Sequence, residues 1–485
     1  MPTDAPAQPA VLESWDDGMR SADPLRFRGY VPPDSAEESV RTALVNLAGT
    51  KTAWIDCDFG RFGGTMGSVA GERVVRAFER ATSLGAPAVV TVSSGGARLQ
   101  EGMLALLQMP RTVAAQAGHA AAGLLSAAYL RSPTTGGVFA SFVSLTDLRA
   151  AEPEAVIGFG GPRVVAEVTG AYPSPGSHTA ESAVRHGLVD AVVGPARAWN
   201  WLAAAVGARP WEPLAVPHGR PSMPAGGSGR HSAYEHLLSA RSAWRPSGLE
   251  WAALLTDTWL EIAGADPAIR AGLATVDGRR VVVVAMDRFA GRVRAGAPGP
   301  AAYRTAQRAI RLAGRLGMPV LTLVDTPGAD PSPDSEAGGI AGEIGRTLLS
   351  LTELPTVCVA LVVGEGGSGG AVALAHTDRL LMLDGSVFSV IGPEAGAAVL
   401  YRDAARAPEL ASAFRMRPAD LLRLGVVDRV LTEDVEAVRA AVSEALSQAR
   451  AGDRVARAAR ATAAALREQP SRGSGPAPRR QPPQP

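Results

Sequence analysis

The stretch VCVALVVGEGGSGG, residues 357–370, carries the reading of the whole chain. Residues 357–363 are uncharged and apolar, four of the seven being valine, and they run directly into five glycines among residues 364–370. A continuous apolar run of this length predicts a strand buried on both faces, and residues 371–375 predict the start of a helix. Strand, tight turn and helix N-terminus together can aim backbone N–H groups at a developing negative charge. Glycine removes the Cβ that would hold a ligand off the backbone, and the first amides of a helix have no partner within it.

Three other readings compete for the same residues. The run Gly366, Gly367, Ser368, Gly369, Gly370 matches the nucleophile elbow G-x-S-x-G, which requires an acid and then a histidine after the serine. Only His376 follows Ser368, with no acid between them. Residues 364–369 also satisfy G-x-G-x-x-G, with Asp384 ending a later apolar run at about the distance of a ribose-binding acid. Against a dinucleotide site, the predicted helix is very short, because Thr377 and Asp378 interrupt it. The third reading is a purely structural glycine turn.

Length and composition narrow the field. A chain of 485 residues is expected to form two large or three smaller domains. With 48 basic against 47 acidic residues the net charge is +1, so no bulk field recruits nucleic acid or a membrane surface. Lys51 is the only lysine, and it lies between threonines, so no P-loop or other lysine-dependent site exists elsewhere. Cys57 and Cys358 stand far apart, each in or beside a predicted strand, so neither a disulfide framework nor a zinc ribbon is expected, and a reducing, cytoplasmic setting is inferred. The first ten residues are polar and proline-rich, unlike a secretory signal. Residues between Arg111 and Arg131 are uncharged but Ala-rich and carry Gln116, His119 and Ser126, which predicts a core helix plus strand rather than a membrane span.

The first half is predicted to open with a short helical preface, followed by an extended segment at 52–58 and a glycine turn at 62–67. A helix over 68–83, a buried strand at 88–92 ending on SSGGAR, a strand at 124–130 and a turn at Thr134, Thr135, Gly136 and Gly137 follow. The second half repeats this order. APAVVTV with its GGA parallels MPVLTLV with its PGA, Pro87 to Pro319 being 232 residues apart. The Asp147 to Gly161 spacing recurs from Asp378 to Gly392, at an offset of 231, and HGLVDAVV parallels LGVVDRVL, Gly187 to Gly425, at 238. Three matches in order predict duplicated domains. At the offset of 231, Gly136 falls on Gly367. The boundaries are a first half at 1–207, a Pro/Gly-rich linker at 208–230, a second half at 231–449 and a basic, Pro-rich, largely disordered tail at 450–485.

These residues carry a resemblance. FGGTMGSVAG (62–71), SGGARLQ (94–100), GGVFASFVSLTD (136–147), AEPEAVIGFGGPR (151–163) and the upstream DPLRF (23–27) resemble the β subunit of bacterial acetyl-CoA carboxylase carboxyltransferase. DPAI (266–269), DTPGA (325–329), the glycine run at 364–370 and SVIGPE (389–394) resemble its α subunit. The chain is similar to the two fused, β part first, from about residue 12 to about residue 435.

The resemblance implies an α/β fold of two tandem crotonase-like (ββα-repeat) domains. It implies transfer of a carboxyl group from carboxybiotin, presented by a biotin carboxyl carrier protein charged by a biotin carboxylase, to an acyl-CoA. Acetyl-CoA is the leading substrate, with propionyl-CoA or biotin-independent malonyl-thioester decarboxylation as alternatives, and an inactive assembly subunit as the non-enzymatic one. A thioester enolate and a biotin enolate are both oxyanions needing N–H donors. Carried over by motif, Gly136 and Gly137 stabilise one and Gly366 and Gly367 the other, while Gly95, Gly96, Arg98, Gly369 and Gly370 shape the CoA side. Biotin itself takes the proton in the family's mechanism, so no catalytic triad is expected. No cofactor is bound covalently, the carrier being a separate protein, and a homodimer is expected in which the first half of one chain meets the second half of its partner. The usual β subunit begins with a four-cysteine zinc ribbon; this chain has no Cys pair at metal spacing, so no zinc is expected.

Overall fold

The computed structural model describes residues 8–216, 232–290 and 296–466. Its strands are β1 (Ala10–Trp15), β2 (Val40–Leu47), β3 (Thr50–Cys57), β4 (Ala88–Ser94), β5 (Ser126–Thr135), β6 (Leu148–Ala151), β7 (Ile157–Gly158) and β8 (Ala191–Val192) in the first half. The second half holds β9 (Thr258–Ile262), β10 (Ile269–Val276), β11 (Arg279–Met286), β12 (Val320–Thr326), β13 (Cys358–Gly367), β14 (Arg379–Leu383), β15 (Val387–Ser389) and β16 (Arg429–Leu431). The first sheet runs β1-β2-β3-β4-β5-β6-β8 with β7 beside β5; the second runs β9-β10-β11-β12-β13-β14-β16 with β15 beside β13. In each, the first three strands are antiparallel and the rest parallel.

The expected duplication is therefore an α/β architecture of two tandem domains with one topology. Strands β12 and β13 start 232 residues after β4 and β5 (88 to 320, 126 to 358) and have the same lengths. The run at 357–363 lies in or beside β13, which is buried along its whole length, as are β4 and β12. Parallel strands covered on both faces have no polar side to show, which is why they read as unbroken apolar runs.

The helical preface is not there. Residues 10–15 form an edge strand, and 40–47 a second strand joined to β3 by a hairpin through Ala48 and Gly49, at φ +49° and +92°. The matching hairpin between β10 and β11 uses Asp277 and Gly278, at φ +47° and +74°. Both have the positive φ pair that a tight hairpin requires, but only Asp-Gly announces it in sequence.

The helices that matter below are α1 (Ser68–Leu84), α2 (Gln108–Ala121), α3 (Pro162–Thr169), α4 (Pro300–Arg315), α5 (Ile340–Thr352), α6 (Ser368–Ala375), α7 (Pro393–Tyr401) and α8 (Asp453–Ala465). The halves share one apolar core: Trp54, Tyr129 and Trp201 of the first cluster with Ile262, Leu273, Tyr303 and Ile310 of the second. Polar groups seal its edge, Arg308 meeting Asp190 at 2.7 Å and Arg315 pairing with Asp147.

Two boundaries differ from expectation. Residues 208–216 are not free linker: Leu214 is buried and Glu212 O accepts the Trp259 N–H at 2.8 Å. The rest of the expected linker, 217–230, lies outside the described residues. The tail expected from 450 begins instead with helix α8, because Arg454 and Arg457 turn inward to buried acceptors; residues 467–485 lie outside the described residues. Both cysteines are buried in strands. Among the described residues no helix is long and apolar enough to cross a membrane.

Candidate active site

At the end of β4 the chain makes a tight turn whose N–H groups can be followed one by one. Gly95 N–H goes to Gly63 O at 2.9 Å, Gly96 N–H to Ser94 Oγ at 3.0 Å and Arg98 N–H to Met66 O at 3.0 Å. Ala97 N–H finds no acceptor among the described residues. The adjoining turn leaves β5. Gly136, at φ +65°, gives its N–H to Phe159 O at 2.9 Å, whereas Gly137 enters the first helical turn, where N–H groups have no intrahelical partner. The two turns touch: a Cβ on Gly96 would sit 3.0 Å from Gly136 Cα and 3.2 Å from Gly137 N.

The second half rebuilds this arrangement. Gly328 N–H goes to Thr326 Oγ1 at 3.1 Å and Asp330 N–H to Pro298 O at 3.0 Å, leaving Ala329 N–H without an acceptor among the described residues. β13 ends at Gly367, Ser368 takes φ +61°, and Gly369 follows in the first turn of α6. A Cβ on Gly370 would lie 2.5 Å from Ala329 N, so only glycine lets these turns close on one another.

The strand ends give a correspondence between the two turns that differs by one residue from the offset of 231. Strand ends match at an offset of 232, so Gly136 corresponds to Ser368 and Gly137 to Gly369, while Ala97 corresponds to Ala329. Gly366 and Gly367 remain in β13, laddered to β15 through Phe388 and Ser389. Their lack of a side chain is a packing requirement, since a Cβ would fall 2.6 Å from the Phe388 ring at Gly366 and 2.3 Å from Pro327 O at Gly367. The nucleophile elbow fails on distance, Ser368 and His376 standing at opposite ends of α6, about 12 Å apart along its axis. A dinucleotide reading fares no better on an eight-residue helix.

Arg98 does not reach toward a ligand. It is 1% exposed, paired with Glu38 and with Glu101 at 3.2 Å, and it donates to Thr65 O at 2.9 Å. Glu101 in turn takes the Ser68 N–H at 2.6 Å, so this cluster fixes the start of α1 beside the SGGAR turn. The partner Glu38 lies in a part of the chain whose strand was not foreseen.

A cavity of about 820 Å³ opens beside the second turn. Its lining includes Gly328, Ala329, Ser368, Gly369 and Gly370, with Arg241, Arg288, Asp325, Glu365 and Glu394 as its ionisable groups. None of the lining residues comes from the first half. Arg241 holds Glu365 through two bonds of 2.7 Å and Glu394 through a third of 2.7 Å, and Tyr234 donates to Glu394 at 3.1 Å. Burial pushes the Asp325 carboxyl up to about 7, while Arg288 and the N–H groups of Glu365 and Gly248 pull the other way. Tyr303 of α4 donates to Gly370 O at 3.1 Å, fixing α6 from beneath. Sequence reasoning overlooked Ala97, Ala329, Arg241 and Tyr303; the hydroxyl two residues before each glycine (Ser94, Thr326) was the signal that would have located the free N–H.

Residues 230–469 match the family described as acetyl co-enzyme A carboxylase carboxyltransferase-like, and residues 28–194 match the carboxyl transferase domain. Over 463 residues the chain is 44% identical to the acetyl-coenzyme A carboxylase carboxyl transferase subunits beta/alpha of Salinispora arenicola, covering 88% of this chain and 81% of that one. It is 37% identical over 418 residues to a probable biotin-dependent acyl-coenzyme A carboxylase beta3 subunit of Mycobacterium tuberculosis, covering 85% and 83%. The fold is also that of the transcarboxylase 12S hexamer, solved with methylmalonyl-coenzyme A and methylmalonic acid bound: TM-score 0.73, 21% identity, 96% of this chain and 90% of that one.

Proposed function

The chain belongs to the acetyl-CoA carboxylase carboxyltransferase family, with β-like and α-like halves fused, and from that premise we propose that it moves the carboxyl group of carboxybiotin to acetyl-CoA, giving malonyl-CoA. The observation that carries this reading is the pair of matched turns, Ala97 with Gly137 and Ala329 with Gly369, in which Ala97 N–H and Ala329 N–H have no acceptor among the described residues and Gly137 and Gly369 stand in the first turn of a helix. Acyl-CoA carboxylation passes through two oxyanions, one on the thioester and one on biotin, and preorganised N–H donors are the groups that stabilise them. Acetyl-CoA is favoured as substrate by the name of the 44% identical relative. The carrier and the biotin carboxylase are separate proteins in this reading, because Lys51 lies between threonines in a β-hairpin.

The cavity at the second turn is walled by the second half alone, which supports a reading in which the first turn of another copy meets it. Exposed apolar side chains follow both turns: Phe159, Val164 and Val168 around α3, and Val390, Val399 and Leu400 around α7. They suit a dimer in which the first half of one copy covers the second half of the other.

The reading is tested by combining the purified chain with a biotin carboxylase, a biotinylated carrier, ATP and bicarbonate, and offering a panel of acyl-CoAs. Carboxylation is expected to be fastest with acetyl-CoA, the product being malonyl-CoA. One methylene is worth only about 1–3 kcal/mol in a pocket, so propionyl-CoA should be carboxylated more slowly rather than refused. Faster turnover of propionyl-CoA would reassign the substrate, and carrier-independent release of carbon dioxide from malonyl-CoA would replace the transferase by a lyase.

A further inference from the structure

Helix α8 is docked by buried arginines rather than by an apolar stripe. Arg454 and Asp378 are both 0% exposed and meet at 2.9 Å, and Arg454 donates further to the carbonyls of Leu351 and, at 2.8 Å, Thr356. Arg457, one turn on, sets its guanidinium among three carbonyls: Thr377 at 3.0 Å, Val426 at 2.8 Å and Ala375 at 3.1 Å. Ala375 is the last residue of α6, the helix whose first turn carries Ser368, Gly369 and Gly370. The last carbonyls of a helix have no partner within it, and a cation placed there is favoured by the helix dipole.

The first half has the same device from a different source. Asp147 takes the Ser126 N–H at 2.8 Å, as Asp378 takes the Cys358 N–H at 2.8 Å. Its arginine is Arg315, which also donates to the carbonyls of Ala120, at 3.3 Å, and Leu124, at 2.8 Å. Ala120 and Leu351 are 231 residues apart, as are Asp147 and Asp378, so the acceptors correspond across the repeat. Arg315, however, belongs to α4 of the second half. Each repeat thus receives its arginine from a helix that follows it, α4 for the first half and α8 for the second.

We propose that α8 is a positioning element of the second oxyanion site, Arg457 and the Arg454–Asp378 pair behind it holding the far end of α6 so that its first-turn N–H groups keep their aim into the cavity. Neither arginine lines that cavity, so their role is positional. α6 spans about 12 Å, short enough to move as one rigid piece when either end is released.

The test uses the full chain with Arg457→Ala and Arg457→Lys. Arg457 is chosen because its hydrogen-bond partners are carbonyls and its one carboxylate neighbour, Asp428, is a part-exposed group 3.9 Å away; removing Arg454 would strand the Asp378 charge in the interior and risks an unfolded protein. The activity arm rests on the function proposed above. In the reconstituted assay Arg457→Ala should lose about a hundredfold in kcat, with KM for the acyl-CoA changed less than about twofold. Arg457→Lys should recover part of the loss, and guanidinium ion added well below denaturing levels should partly rescue the alanine variant. Hydrogen exchange needs no substrate: amides of residues 368–377 should exchange faster in Arg457→Ala while those of β4 and β5 keep their protection. An inactive wild-type chain would count against the proposed function and leave the exchange arm to judge the clamp. Unchanged exchange at 368–377, faster exchange spread evenly over both halves, or a kcat loss no larger than the loss of folded protein would overturn the proposal.

Discussion

Ser368 and Gly136 share one backbone conformation, φ +61° and +65°, at matched ends of β13 and β5. The Gly136 position is closed to a side chain, since a Cβ there would lie 2.8 Å from Gly96 Cα. The Ser368 position is looser, the Ser368 Cβ lying 3.8 Å from where a Gly328 Cβ would stand. Ser368→Gly should therefore be close to neutral: relief of left-handed strain, about 1–2 kcal/mol, is opposed by the glycine's greater chain entropy, about 0.5–1 kcal/mol. The reciprocal Gly136→Ser should cost about 1–3 kcal/mol through forced displacement of the SGGAR turn, and most of the activity. Urea unfolding and carboxylation rates on both variants check this, and equal tolerance would show that the turns are not packed as described.

Charges placed in each turn report on where the sites assemble. Gly369→Asp meets no neighbouring atom and sets a carboxylate at the cavity, while Gly137→Asp must shift Met109, whose Sδ lies 3.0 Å from the new Cβ. Each variant alone should be inactive. Co-expressed, they should recover about a quarter of wild-type activity, because half of randomly mixed dimers are hybrids and each hybrid has one intact site of two. No recovery would place both turns of a working site in one chain.

Asp325 gives the fold a pH dependence of definite sign. Its carboxyl is pushed from 3.8 to about 7 by burial, so the folded chain holds a proton there that the unfolded chain has released. Its contribution to stability is fully present below pH 3.8 and is lost as pH rises through about 7. Asp325→Asn should flatten the dependence of unfolding free energy on pH across this window, measured by denaturant titration at several pH values. An unaltered slope would mean that Asp325 is ionised throughout, held so by Arg288 and the two N–H groups.

Arg315 ties the halves together through Asp147, Ala120 and Leu124. Arg315→Met keeps the apolar stem while removing these bonds, and should cost about 1–3 kcal/mol, the order expected for unsatisfied buried partners. The expected calorimetric signature is a broadened or split transition, as the first half melts ahead of the second. A single sharp transition shifted downward would show that the shared core alone couples them.

The parallel core was legible because strands covered on both faces are written as apolar runs, and the duplication because turns recur with them. The pairing of the two turns residue by residue was not legible. The offset of 231 read from Asp147 and Asp378 puts Gly136 on Gly367, whereas the strand ends, at 232, put it on Ser368; one residue inserted between the two markers is invisible among five glycines in seven. β2 was missed because Arg41 and Asn46 interrupt its apolar pattern and its hairpin is Ala-Gly. The pairing of Arg98 with Glu38 was not legible because the two stand sixty residues apart in sequence. α8 read as solvated tail because its arginines give no hint that Asp378 waits for them.

Helix α4 lies on the boundary between the halves, with Tyr303 on Gly370 and Arg308 and Arg315 on Asp190 and Asp147. Since one polypeptide carries both sides of that boundary, its closure is a unimolecular event, with an effective local concentration on the order of millimolar whatever the amount of protein present. In the proposed dimer, meeting a second copy remains bimolecular. Dilution should therefore separate the two: specific activity falls as copies part, while the Arg315 contact stays closed in every molecule. Two unfused subunits would face both losses at once, so fusion removes one concentration threshold from assembly and leaves a single one to govern when the enzyme is on.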